Sequence, residues 1–389
     1  MRPRVHLHLN HGRSLDSWRS AYESGAVFEP SPYGYLAAER YVELTWSVDH
    51  AESPVVRLLR RGIAFLLGFD LVHAWRNRGA IAAAEVVWTH TEKEYLAIAL
   101  LERLGRVPHR PMIAQSVWLW DRWRKAGPVR RALYRRLLAR VEVTTVHSPL
   151  NAELGTRALG RAVRLVPYGV GPLAVLPAPK RTPGASLRVL AVGHDIDRDW
   201  ESLAAVADAR PDWRILVLSR RRSAARLATP ERPNLTVRPA SGVAELLEAY
   251  TDCDVVAVPL RDNVHVSGMT ATLEAVVQGR PLAATDTGGL RELLGEHAAW
   301  ARVGDPASLA DAIADAASRG PEAVAAARDH VRDAGLTLDD FVHRHVLLTA
   351  ELLGVPRPDD ASRTDRPEAS AIARVVDVDP GWAAAGFPG

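Results

Sequence analysis

The chain has 389 residues, 47% hydrophobic and 24% charged, with a formal net charge of +3. That length exceeds one ordinary core and points to two domains, and the composition is that of a soluble globular protein. A single cysteine, Cys253, excludes an internal disulfide or a multi-cysteine metal cluster, and no apolar run approaches the ~18 residues of a membrane span.

The first strand is read at 5–9, and the turn His11-Gly12-Arg13-Ser14 follows it, where ligands bind in open α/β sheets. The opening residues lack the apolar core of a signal peptide, so the expected location is the cytoplasm. From 17 to 48 the pattern is mixed. A helix is expected over 54–67, with apolar positions at Val55, Leu58, Leu59, Ala64, Phe65 and Leu67, and the nearest approach to a long apolar run, 63–69, is short enough for a core helix. Strands at 85–90, 110–115, 141–146 and 163–166 alternate with helices at 91–104, 128–140 and 149–159, which argues for a parallel, doubly wound sheet.

Charge is unevenly placed. Between Arg103 and Arg140 eleven Lys/Arg accompany one acid, Asp121, and the same window holds Trp118, Trp120 and Trp123. Such a mix suits an anionic membrane surface on the inner face of the cell membrane, or a lipid-phosphate substrate. The alternative is a solvated basic face over core tryptophans. No nucleic-acid module is present.

Residues 171–187 contain five Pro and Gly residues after Gly171 and read as a linker. The domains are therefore 1–170 and 188–336. A helix at 337–354 could pack back on the first domain, and 355–389 reads as a disordered tail. The second alternation has strands at 188–192, 214–218, 235–238, 254–260 and 281–285. Between the last two, the loop Ser267-Gly268-Met269-Thr270 opens a helix that closes at Gly279. Amides and hydroxyls at a helix start make a seat for phosphate. One turn on, Glu274 could hold the vicinal hydroxyls of a ribose. A Gly288-Gly289 turn follows.

In this order and spacing the motifs resemble family 4 (group 1) glycosyltransferases. The matching stretches are 163–170 with Pro167-Tyr168-Gly169-Val170, Ala191-Val192-Gly193 with the charged segment to Trp200, Ser267 to Pro281, and 287–292. The resemblance implies a GT-B fold, α/β with two Rossmann-like doubly wound domains facing each other across a cleft. It also implies transfer of a sugar from a nucleotide-sugar, with retention, to a glycan, lipid-linked or small-molecule acceptor. Gly193, Arg198, Arg220, Ser267, Gly268, Met269, Thr270, Glu274, Gly288 and Gly289 are then donor ligands, with Gly12 facing them. Cations and a helix terminus can carry the diphosphate charge, so no cofactor or metal is expected, although Asp195-Ile196-Asp197 has Asp-x-Asp spacing.

The chain departs from the family at Val266, where a sugar-contacting glutamate is usual eight residues before Glu274. His265 could take over that contact. His90, Glu92 and Asp121 are the candidates for acceptor contact or a general base, the last with an ion pair to Arg124 or Lys125 as its ordinary reading. The competing functions are an inverting GT-B enzyme with such a base, a nucleotide-sugar epimerase, and a non-catalytic sugar-nucleotide binding protein. A dehydrogenase is disfavoured because no Gly-x-Gly-x-x-Gly follows either domain's first strand.

Overall fold

The computed structural model describes residues 2–123, 125–179 and 184–358. Linker residues 180–183, Arg124 and the tail from 359 lie outside the described residues.

Two compact units divide the chain. The first comprises Met1–Ser24, Glu29–Pro167 and the chain from Leu338; the second comprises Gly25–Phe28 and Tyr168–Thr337. The first holds β1 (Arg4–His8), β2 (Glu43–Trp46), β3 (Val86–Thr89), β4 (Met112–Gln115), β5 (Val143–Val146) and β6 (Arg164–Leu165) in the order β2-β1-β3-β4-β5-β6, parallel throughout. The second holds β7 (Arg188–Val192), β8 (Arg214–Leu218), β9 (Leu235–Arg238), β10 (Val255–Val258), β11 (Leu282–Thr285) and β12 (Ala299–Ala301) in the order β12-β11-β10-β7-β8-β9, again parallel. Strands β3, β4, β5, β10 and β11 are buried at every position. They read as unbroken apolar or small runs because helices cover both faces of a parallel sheet.

The helices follow their stop and start signals. Thr91 and Glu94 form a reciprocal capping box for Glu92–Arg103, and proline opens Pro128–Leu138, Pro149–Leu159, Pro306–Ser318 and Pro321–Asp333. The mixed stretch 17–48 resolves into a helix Leu15–Glu23, a 3-10 segment Pro32–Arg40 and the edge strand β2. None shows a clean period: Tyr33 and Gly34 interrupt the 3-10 segment with left-handed backbone, and β2 is half exposed. Trp120 and Trp123 are core residues.

Helix Leu338–Leu353 is part of the first unit, where Thr349 accepts a bond from Trp88 Nε1 at 2.8 Å and Glu351 pairs with Arg164.

In each sheet the chain reverses its direction of growth once, between β1 and β3 and between β7 and β10. Side by side, the loops leaving the carboxyl ends of such strands leave a crevice, and that is where open α/β sheets bind ligands.

Candidate functional site

In the second unit the crevice lies between the loop after β7, which begins at Gly193, and the loop after β10, which ends at Gly268. Backbone bonds lace the two together: Asp199 N donates to Pro259 O at 3.0 Å and Arg261 N to Asp197 O at 2.8 Å. This pairing carries Arg198 inward. Its residue is only 5% exposed, and its Nε and Nη1 are buried without a hydrogen-bond partner among the described residues. The guanidinium lies against both glycines: a Cβ on Gly193 would fall 2.2 Å from Nε, and one on Gly268 2.8 Å from Nη1. Burial lowers its pKa to about 10, against the opposing charges of Asp195, Tyr250 and Glu274, so it is a cation at neutral pH. A buried, unpaired cation is costly unless an anion joins it.

Polar groups awaiting partners surround the same crevice. Ser267 Oγ, Thr272 Oγ1 and Thr287 Oγ1 are buried and unbonded among the described residues. Gly268 takes φ +86 at the cap of helix Met269–Val277 and leaves no room for a side chain, with Val258 2.7 Å from its Cβ position. Two of the loop amides are already in use, Ser267 N on Asn263 Oδ1 at 2.9 Å and Met269 N on Val266 O at 3.2 Å. Met269 therefore contributes its buried side chain rather than a free amide, while Thr270 is exposed on the first turn. Glu274 is buried one turn further, its Oε2 accepting from Tyr250 Oη at 3.1 Å. Gly288 caps the short helix Gly289–Leu294 with left-handed backbone and donates to Asp286 Oδ1 at 3.0 Å; Gly289 is buried. Arg220 is exposed after β8, its amide donating to His194 Nδ1 at 3.0 Å.

His265 is buried and turned toward the Asp195 loop, its Nε2 3.3 Å from Asp195 Oδ2 and 3.7 Å from Asp197 Oδ2. Burial pushes the Asp195 carboxyl up, but the His265 hydrogen bond, the Asp197 amide and the charges of His265 and Arg198 hold it well below the usual carboxylate range. The three ligand atoms lie within 4.8 Å of one another and could hold a divalent cation. Val266 is packed into the core with Val258, Leu260 and Met269. Its φ of +58 is a rare conformation for a β-branched residue.

In the first unit the equivalent crevice receives the loops after β1 and β3. Gly12 takes φ +87 there, with its amide on Asp49 Oδ1 at 2.9 Å. Asn10 joins the loops through Glu94 at 3.0 Å and Thr91 at 3.1 Å. His90 stacks on Tyr33 at 3.5 Å between ring centres and bonds Tyr35 Oη through Nδ1 at 3.1 Å. Burial, then the neighbouring His147 and His345, hold its pKa well below the ordinary value, so it is neutral. Glu92 is buried and binds the amides of Val117 and Trp118 through Oε2 at 3.2 Å each. It therefore ties the β4 loop to its helix. Asp121 is half-buried on the short helix Leu119–Trp123. The stacked Tyr33 and the Asn10 bridge have no sequence signal, because both depend on a tertiary approach.

A cavity of about 680 Å³ in the second unit is lined by Arg188, Trp213 and Asn234. It opens at the amino ends of β7 to β9, opposite the ends that carry the polar loops, and is not the site.

Residues 195–319 match the sequence profile of the family described as glycosyl transferases group 1. In a search of curated proteins, none matched. The fold is similar to that of Anabaena HepE, a structure solved with UDP and glucose, at 12% identity over 90% of this chain and 100% of that one, TM-score 0.60. It is similar also to a glycosyltransferase from Rickettsia africae at 11% identity over 91% and 99% of the two chains, TM-score 0.58. The lipopolysaccharide outer core galactosyltransferase WaaB matches at 9% identity over 89% and 99%, TM-score 0.53. The architecture is thus GT-B, as the motif series implied. The family match lies wholly within the second unit, which carries a group 1 glycosyltransferase domain over residues 195–319.

Proposed function

We propose that the protein transfers a sugar from a nucleoside-diphosphate sugar, bound by the second unit, to a hydroxyl of a glycan, lipid-linked or small-molecule acceptor. The observation that carries this reading is Arg198, a buried guanidinium with two unpaired nitrogens set between Gly193 and Gly268. A diphosphate is the anion that suits it: the phosphates approach two side-chain-free backbones, Ser267 Oγ donates, and the amino end of helix Met269–Val277 faces the charge. Glu274, oriented by Tyr250, accepts from the ribose hydroxyls. In the reaction the bond from sugar C1 to the diphosphate oxygen breaks, one to the acceptor oxygen forms, and the acceptor's hydroxyl proton passes to the departing diphosphate oxygen. The departing diphosphate takes the negative charge that Arg198 and the helix terminus stabilise. HepE, solved with UDP-glucose and UDP, makes uracil the first base to try.

Retention and independence of metal belong to the same reading. Arg198 supplies a fixed cation where a metal would otherwise neutralise the leaving group, and the His265–Asp195 pair serves to hold the phosphate loop. Transfer should survive EDTA, with the anomeric configuration of the product read by NMR. A requirement for a divalent ion would instead assign one to Asp195, Asp197 and His265.

The decisive experiment is a thermal shift with UDP, GDP, ADP and TDP, since a ligand bound only by the folded state raises the Tm. One diphosphate should stabilise the wild type and lose its effect in Arg198→Ala and Glu274→Ala. No shift with any of the four overturns the reading.

A further inference from the structure

Among the described residues, helix Pro54–Leu67 differs from every other helix of ten residues or more. It is firmly built: Ser53 caps it by accepting from Val56 N, proline opens it, and Gly68 closes it at φ +86. Yet none of its fourteen residues is buried. Val55 is 75% exposed, Leu58 74%, Leu59 60%, Phe65 84% and Leu66 72%. At about 100° per residue these five side chains share one arc of roughly 120° along the helix. Arg57 and Arg61, both exposed, flank that arc beside Phe65. Arg60 points the other way, bonding Glu52 at 2.8 Å and Asp70 at 2.5 Å, which fixes how the helix lies on its unit and turns the apolar arc to solvent.

The surroundings are basic. Arg130 donates to Leu66 O at 3.2 Å and Tyr134 to Leu67 O at 2.9 Å, so helix Pro128–Leu138 abuts the end of the apolar one. That second helix exposes Arg135, Arg136 and Val129. A cavity of about 240 Å³ at the junction is lined by Arg122, Lys125 and Arg130, together with Glu92, from which Arg122 lies 4.0 Å. The helix itself contains three arginines and no acid.

We infer that the exposed face of helix Pro54–Leu67 is a docking surface for an anionic lipid bilayer. A helix with an apolar arc of Leu and Phe bordered by Arg lies in the plane of a membrane interface, its arginine stems reaching up to the headgroups. Charge decides against a second copy of the chain. A two-fold contact would bring the Arg57 and Arg61 rows of both copies together. The membrane contact thus belongs to this helix and the basic side chains beside it, while Trp120 and Trp123 of the 103–140 stretch stay in the core. It does not depend on which donor the second unit binds.

Flotation of the full chain with vesicles of phosphatidylcholine alone and of phosphatidylcholine with phosphatidylglycerol tests the inference. The protein should float with the anionic vesicles at low salt, progressively less as salt rises, and stay behind with the neutral ones. Leu58→Asp combined with Phe65→Asp should lower partitioning more than tenfold. Arg57→Gln and Arg61→Gln should each lower it about fivefold. Because these side chains are exposed, all variants should keep the wild-type Tm and diphosphate response. Wild-type protein that ignores anionic vesicles overturns the inference, as does flotation that survives the Leu58 and Phe65 changes. So does a concentration-dependent dimer in light scattering that Phe65→Asp abolishes while vesicle binding is absent.

Discussion

Arg198 shows how little of a binding site one residue carries by itself. In the sequence it is one of many arginines; its burial against Gly193 and Gly268 depends on two loops meeting from strands 66 positions apart in chain register, Val255 beside Val189. Gly193→Ala tests that seat. The added Cβ meets the tip of the Arg198 side chain, and at φ +158 it strains the backbone as well, so both have to shift. The Tm in the absence of ligand should fall by an amount on the order of 1 kcal/mol of stability, and diphosphate affinity, read by calorimetry, should fall about tenfold or more, the effect of losing one charged hydrogen bond. An unchanged affinity would remove Arg198 from the phosphate site. Val266 carries the opposite lesson. The family's glutamate position is visible in the sequence, but the inward packing of this valine is not, nor is the engagement of neighbouring His265 with Asp195.

Among the elements, connections matter as much as strands. Gly169, in the motif that ends the first alternation, needs its missing side chain because Thr337 backbone lies 2.0 Å from where a Cβ would stand. There the segment beginning the second unit meets the segment ending it, with Val170 N bonded to Leu336 O at 3.1 Å. Gly169→Ala should cost about 1–3 kcal/mol in denaturant unfolding, whereas Gly79→Ala, in helix Arg78–Ala83 with open space around it, should be neutral or stabilising. Elements of this kind were largely legible in the sequence. Unbroken Val, Ile and Ala runs marked the buried strands, and Pro, Thr and Gly marked the helix ends. The 54–67 helix marks the limit. Its periodic leucines announce an apolar face, and the same period serves a core or a surface, so the sequence leaves the direction of that face open and the structure turns it outward.

For the molecule as a whole, acid is the condition to watch. His6, His147 and His345 are each held down to about 4, by burial first and, for His6 and His345, by neighbouring positive charge as well; the bonds from His147 to Val166 O and from His345 to Phe341 O only partly offset it. Their folded pKa values lie below the unfolded value near 6.5, so between pH 6.5 and 4 the unfolded chain takes up protons that the fold refuses. Each can withdraw up to about 3 kcal/mol over that window. Glu94 works the other way: burial pushes it up to about 8 against bonds from Thr91, His90 and Asn10. It favours the fold as pH falls through 8 and toward the unfolded value, but it is one proton against those of three imidazoles, with His90 and His8 depressed in the same direction. The Tm should therefore fall steeply between pH 6 and 4.5 in thermal melts; a Tm that stays level across that range would contradict neutral, buried imidazoles.

Helix Leu338–Leu353 also sets a timetable. The first unit is encoded early, yet the helix that covers Trp88 and binds Arg164 emerges from the ribosome roughly 170 residues after Pro167. At ~5–20 residues per second, that is a delay on the order of 10–30 s. During that interval the nascent first unit exposes an unfinished core while the second unit's strands are still being made. The unit whose strands come first in the chain is thus the one completed last.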